Sequence, residues 1–163
     1  MLPRRLHVLG LRGAHFIRMR WWRVMGTNVR GCRALVFDPA GHVLLLRHSY
    51  GSRRWMLPGG GMKRGEDPLG AARREVQEET AVRLTDARVI AVVIEPIAGA
   101  PHEVSVVAGW SDDLPVPDGR EIVAAAFFDP AALPEPLMRG LAERMPDYVT
   151  AAKAARPSRD SGP

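Results

Sequence analysis

GGMKRGEDPLGAARREVQEETAV, residues 60–82 of this chain, passes from a glycine-rich loop into a segment with helical periodicity. Asp67 followed by Pro68 is a helix start. An aspartate oxygen at the N-cap accepts orphaned backbone N–H groups, and a proline in the first turn gives up an N–H that has no helical partner anyway. The spacing predicts a helix over 68–80, with Leu69, Ala72, Val76 and Thr80 on the side that packs against a sheet. Glu75, Glu78 and Glu79 stand at i, i+3 and i+4, so all three project from one side of it. By spacing alone such a trio is equally well a solvated acidic face, since like charges placed this way cost only about 0.2–0.5 kcal/mol per pair. Two features of context favour a chemical use. The acids occupy the latter half of the helix, where the macrodipole disfavours negative charge. Gly59, Gly60 and Gly61 precede it, and without a Cβ the backbone can approach a ligand closely. Clustered carboxylates supply the oxygen ligands that a hard divalent cation takes.

Outward from this stretch the chain reads as strands. Arg33–Asp38 and Val43–Arg47 are β-rich runs joined by the turn Asp38-Pro-Ala-Gly41, which predicts a hairpin. Trp55-Met-Leu reads as a third short strand, closed by Pro58 and the glycines. Further strands are expected over 88–95, 103–110 and 122–128. The last is almost continuously apolar and is therefore expected at the centre of the sheet. A final helix is expected within 135–154. Strands mixed with two helices, with one strand–helix–strand unit, imply a mixed sheet with helices packed on it. The chain divides into a basic arm at 1–26, one domain at 27–155 and a polar, frayed tail at 156–163.

Composition sets limits. At 163 residues, with 46% apolar and 25% charged side chains, the chain can bury a core without covalent staples. Cys32 is its only cysteine, so no intrachain disulfide forms, and the plain reading of this residue is a small buried hydrophobe. The net charge of +5 conceals an asymmetry: residues 1–33 hold eight arginines and no acid, leaving 15 basic against 18 acidic side chains in the rest. No stretch approaches the ~18 apolar residues that span a bilayer, and arginines interrupt every run resembling an export signal, so a cytoplasmic location is the default expectation. Within the arm, Ile17, Trp21, Val24 and Met25 follow helical spacing. Three uses compete for it: docking on the domain or on a second copy as a homodimer, peripheral contact with an anionic membrane, and contact with nucleic-acid or nucleotide phosphates. No recognised nucleic-acid motif accompanies the arginines.

Residues 60–82 resemble the Nudix box, G-x5-E-x7-R-E-U-x-E-E-x-G-U with U a bulky aliphatic. Gly60, Glu66, Arg74, Glu75, Val76, Glu78, Glu79 and Val82 fall on motif positions. Ala81 departs from the pattern, standing where the motif has glycine. The resemblance implies an α/β fold in which a mixed β-sheet is sandwiched between α-helices, and a pyrophosphohydrolase using Mg²⁺ or Mn²⁺. It implies that Glu75, Glu78 and Glu79 hold the metal with the Gly60 carbonyl, and that Arg74 positions the acids by pairing with Glu66. It also implies a further carboxylate from a later loop, for which Glu121 is the first candidate and Glu103 the second. The substrate would be a nucleoside diphosphate linked to another group, ADP-ribose-like or a nucleoside triphosphate. A helix glutamate or the later carboxylate would take the proton from the attacking water.

Subsidiary positions carry weaker expectations. Pro96, 15 residues beyond Ala81, leans towards ADP-ribose by resemblance, although a proline at the end of a strand is the plainer account. His102 and Tyr50 are candidates for substrate contact, and Trp55 is read as core. Two rivals share the fold. One is a nucleotide-binding module with little or no catalysis, which has no need to keep all three glutamates. The other is an isoprenoid-diphosphate isomerase, which calls for a cysteine in the pocket, whereas Cys32 precedes the first expected strand.

Overall fold

The computed structural model describes residues 30–51, 53–97 and 100–156. The basic arm at 1–26, and the tail apart from Arg156, lie outside the described residues. The elements run in the order β1 (Gly31–Phe37), β2 (Val43–His48), α1 (Pro68–Thr80), β3 (Thr85–Ile97), β4 (Ala100–Trp110), β5 (Ile122–Phe128) and α2 (Leu141–Ala155). The five strands form one sheet in the order β3-β4-β1-β2-β5. β1 and β4 are parallel and the other neighbours antiparallel, so the sheet is mixed.

β1 lies at the centre and is covered on both faces, which is why its sequence is a continuous apolar run interrupted by one arginine. Cys32, Ala34 and Val36 pack towards Ala71, Ala72 and Val76 of α1. Leu35 and Phe37, on the alternate face, pack in the cluster that includes Leu141, Met145, Tyr148 and Ala152 of α2. The helices therefore sandwich the sheet, as the fold class implied.

α1 begins and ends where its sequence directs. Asp67 is the N-cap and its Oδ1 accepts the Leu69 and Gly70 N–H groups at 2.8 and 2.9 Å. Ala71, Ala72, Val76 and Thr80 are buried, with Leu69 partly buried against the same cluster. At the other end Ala81 adopts the left-handed conformation, φ 59° and ψ 13°, and donates its N–H to the Gln77 carbonyl. This is the conformation for which glycine is the usual residue.

Three expectations are corrected. β5 is an edge strand, paired only with β2. An apolar run carries no information about whether both edges of a strand are paired, and here Val123 is exposed. The β1–β2 hairpin pairs only at Phe37 and Val43; beyond that point the strands diverge. Residues 55–62 occupy the fork. Leu46 and Met56 exchange backbone hydrogen bonds on the β2 side, and Ala34 and Cys32 donate to the Pro58 and Gly60 carbonyls on the β1 side. Trp55-Met-Leu is accordingly not a third strand but a segment with isolated bridges, because it changes partner from β2 to β1 at Pro58. The change depends on Gly59, whose φ is +152° and where a Cβ would collide with the Cys32 carbonyl.

Alanine in the left-handed region is strained by about 1 kcal/mol. Ala81→Gly is expected to raise the midpoint of thermal unfolding by a few degrees with little effect on activity. A large gain in activity without a gain in stability would show that Ala81 matters to the chemistry and not only to the helix end.

Candidate active site

The fork that admits residues 55–62 opens at the end of the sheet into a cleft of about 730 Å³. Its walls include Gly59, Gly60 and Gly61 from the loop, Arg74, Glu75, Glu78 and Glu79 from α1, and Glu121 from the loop before β5. Glu121 is far in sequence from the glycine loop and α1, and the sheet brings them together.

Arg74 ties the loop to the helix. Its Nε and Nη2 each donate to Glu66 at 2.8 Å, a two-pronged pair, while Nη2 also reaches the Gly61 carbonyl at 3.1 Å. Nη1 donates to Glu75 at 2.7 Å and, at 3.5 Å, to Glu78. The expected Glu66–Arg74 pair is thus present and reaches further than expected. The guanidinium hydrogen bonds hold the Glu66 carboxyl at about 2, well below its ordinary value.

Glu79 lies deepest. Its Oε2 accepts the Gly59 N–H at 2.9 Å, and its Oε1 is 3.9 Å from Nε2 of His48. Burial pushes its carboxyl up to about 8; the Gly59 N–H opposes this, and the charges of Glu75 and Glu121 add to it. Glu78 is the most open of the three glutamates, with its side chain 59% exposed.

Glu121 is presented by a compact turn. Asp118 Oδ1 accepts the backbone N–H groups of Arg120, Glu121 and Ile122 at 2.9–3.0 Å. Burial alone would raise the Asp118 carboxyl, but these three hydrogen bonds outweigh it and the shift is downward. The Glu121 carbonyl accepts the Ser49 N–H, and its carboxylate accepts the Tyr50 hydroxyl. Tyr50 therefore stands in the cleft through Glu121, although its ring is buried. Glu103, the second candidate, pairs with Arg30 at 3.1 Å on an exposed surface and does not line the cleft. Nor do His102 and Pro96, which occupy the β3–β4 hairpin opposite Glu95 and Pro101. Trp55 packs edge-on to Phe128 at 4.9 Å within the core.

A fit to a divalent cation can be judged from these donors. A Cβ on Gly60 would lie 2.5 Å from Glu75 Oε1, so glycine leaves the carboxylate against bare backbone. The Gly60 carbonyl already accepts the Cys32 N–H at 2.9 Å, which leaves one lone pair for a metal. Among the described residues no three acidic, imidazole or thiol groups are grouped tightly enough to enclose an ion unaided. Water and phosphate oxygens would complete the shell, as Mg²⁺ prefers. Burial raises Glu79, with the charges of Glu75 and Glu121 adding to it, and a cation beside it would favour the ionised form; on these grounds the residues fit.

A family model for the NUDIX domain matches residues 27–148. The chain belongs to the Nudix family. An RNA pyrophosphohydrolase from Bartonella bacilliformis is 42% identical over 62 residues, a match covering 33% of this chain and 36% of that one. A diphosphoinositol polyphosphate phosphohydrolase 3-alpha from Mus musculus is 54% identical over 41 residues, a quarter of each chain. The chain thus matches at most little more than a third of these curated relatives' length. The solved structure of an ADP-ribose pyrophosphatase from Streptococcus suis superposes with a TM-score of 0.64 at 23% identity, over 78% of this chain and 93% of that one. That likeness concerns the fold alone.

Cys32 requires a correction. It lies inside β1 rather than ahead of the first strand, and it contributes to the cleft wall. Its side chain is nonetheless fully buried, and burial pushes the thiol up, away from the reactive thiolate. Arg33, His48, Arg53, Arg54, Lys63 and Asp118 also line this Nudix cleft, beyond the residues that the motif implies. Only Arg33 and Asp118 leave a trace in the sequence: an arginine inside a core strand, and an Asp-Gly turn ahead of a strand.

The sign of the Glu79 effect is testable. Its carboxyl in the folded protein (about 8) lies above the ~4.3 of an unfolded glutamate. Between those values the folded state binds the extra proton, so metal-free stability falls as pH rises through this window. Glu66 acts oppositely and contributes in full throughout, its stabilisation fading only as pH drops towards 2. The thermal midpoint of the metal-free protein should therefore fall between pH 5 and pH 8, with a smaller fall in Glu79→Gln. Parallel pH profiles for the two proteins would contradict the assignment.

Proposed function

We propose that this protein hydrolyses the diphosphate linkage of a nucleoside diphosphate joined to another group, using Mg²⁺ or Mn²⁺ held by Glu75, Glu78, Glu79 and the Gly60 carbonyl. The observation that carries this reading is the convergence of three helix glutamates, a glycine loop and Glu121 on one cleft. The names of the curated relatives, an RNA pyrophosphohydrolase and a diphosphoinositol polyphosphate phosphohydrolase, point to a diphosphate linkage and differ in what flanks it.

A divalent cation in this cleft would neutralise diphosphate oxygens and acidify a bound water. The protein's own groups would do the rest. Arg74 keeps Glu75 turned towards the loop. Glu79, buried beside Gly59, would have to give up its proton to hold a cation, so affinity for the metal would rise with pH. Glu78 or Glu121 would take a proton from an attacking water: the first is the most exposed of the helix trio, and the second accepts the Tyr50 hydroxyl.

Two experiments test this. Full-length protein with Mg²⁺ or Mn²⁺ is assayed against ADP-ribose, nucleoside triphosphates, dinucleoside polyphosphates and capped RNA, with products identified. Cleavage within a diphosphate group is expected for at least one, and none would favour a binding module. Glu78→Gln and Glu79→Gln are expected to fold and to lose at least a hundredfold in metal-dependent turnover. Rates within a factor of three of the parent would sink the metal assignment.

A further inference from the structure

Arg33 is the one charged side chain of β1. Strand alternation places it on the face opposite Cys32, Ala34 and Val36, hence on the α2 side of the sheet, while the three glutamates project from α1 on the other side. Arg33 and the glutamates nevertheless line the same cleft, which must wrap around the end of the sheet from one face to the other.

The surroundings of Arg33 leave it with hydrogen-bonding capacity to spare. Its Nη2 donates to Glu95 at 3.3 Å, and Glu95, only 8% exposed, is also held by Arg144 of α2 at 3.5 Å. Two guanidinium groups share the one Glu95 carboxylate, and the charge of Arg33 is also felt by Glu79, whose carboxyl it draws down. The Arg33 Nε is buried with no hydrogen-bond partner, while the side chain keeps 20% of its surface exposed. An under-satisfied buried guanidinium is costly to maintain, and a ligand that completes it removes that cost. Arg53 and Arg54 also line the cleft. The cleft thus carries Glu75, Glu78 and Glu79 on its α1 side and Arg33 on the α2 side of the sheet.

We propose that Arg33 anchors an anionic group of the substrate lying beyond the scissile diphosphate. Substrates with a third phosphate are then preferred over those whose diphosphate ends in a neutral sugar. The inference rests on the diphosphate site proposed above. A diphosphate engaged at the glutamates lies on the α1 side and leaves Arg33 for the next group along. Glu95 is a positioning residue: it orients the guanidinium and Arg144 steadies it in turn. A site built around a charged hydrogen bond discriminates strongly against a ligand that lacks the partner, because the donor is then left unpaired.

The test uses full-length protein with Mg²⁺ and two ligands whose α,β linkage cannot be hydrolysed, α,β-methylene-ATP and the α,β-methylene analogue of ADP-ribose. They share the adenosine and the diphosphonate and differ in the group beyond it, a phosphate in one and a ribose in the other. By calorimetry the parent protein is expected to bind the triphosphate analogue at least tenfold more tightly, with a preference that shrinks as salt rises. Arg33→Met is expected to reduce that preference to threefold or less, and Arg33→Lys, which keeps the charge but not the fork, to an intermediate value. Equal affinities in the parent, or an undiminished preference in Arg33→Met, would overturn the proposal. Should the methionine variant fail to fold, Arg33→Lys decides, and a preference unchanged in it overturns the proposal. Turnover of ATP and ADP-ribose is measured in parallel. Preference without hydrolysis of any substrate of the panel above would retain the anion site and reject the reaction, and hydrolysis without preference would do the reverse.

Discussion

Arg74 divides its guanidinium between two segments: Glu66 and the Gly61 carbonyl in the loop, and Glu75 and Glu78 on its own helix. A planar fork with donors in fixed directions suits this task, which a lysine could not perform. The consequence is positional. The glycine loop cannot move relative to α1 without breaking charge-assisted hydrogen bonds, and every other feature of the cleft is built on that spacing. Gly60 lies against the Glu75 carboxylate with no room for a side chain, and the Gly59 N–H reaches Glu79. Glu66 and Glu79 show the two electrostatic outcomes. One is held ionised to very low pH by a cation it touches; the other is driven towards its neutral form by burial among like charges.

The sheet sets where this assembly stands. β1 and β2 separate after a single paired position, and the chain returns into the gap with its backbone bonded to both. A strand would have filled the gap and closed it. A segment that changes partner at Pro58 leaves its glycines at the open end instead. The same divergence gives the cleft access to both faces of the sheet, so that carboxylates from α1 and the guanidinium of Arg33 serve one cavity.

Much of this is legible in the sequence where local chemistry decides structure. Asp67, Pro68 and the spacing of Ala72, Val76 and Thr80 specify both ends of α1, and Ala81 takes the left-handed conformation that its motif position demands. The Glu66–Arg74 pair is implied by resemblance, and Glu121 by an Asp-Gly turn that leads into a strand. Features set by partners remote in sequence are not legible. Hydropathy does not say that β5 has one neighbour, nor that residues 55–62 divide their hydrogen bonds between two strands. Gly31 conceals the start of β1, which makes Cys32 read as lying ahead of the first strand. By composition Arg33 counts with the basic arm, whereas its place in an otherwise apolar strand is the better clue to a buried role.

If the glutamates of α1 and the loop at Gly60 hold a divalent cation at the mouth of this cleft, Mn²⁺ will report it. Titrated into the isotope-labelled full-length protein and followed by NMR, the paramagnetic ion broadens signals of nearby nuclei. Saturable broadening is expected, centred on Gly59–Gly61, Glu75 and Glu79, extending to Glu121 and sparing β3 and the Arg30–Glu103 surface. Broadening centred elsewhere, or unchanged in Glu79→Gln, would contradict a metal held by these residues.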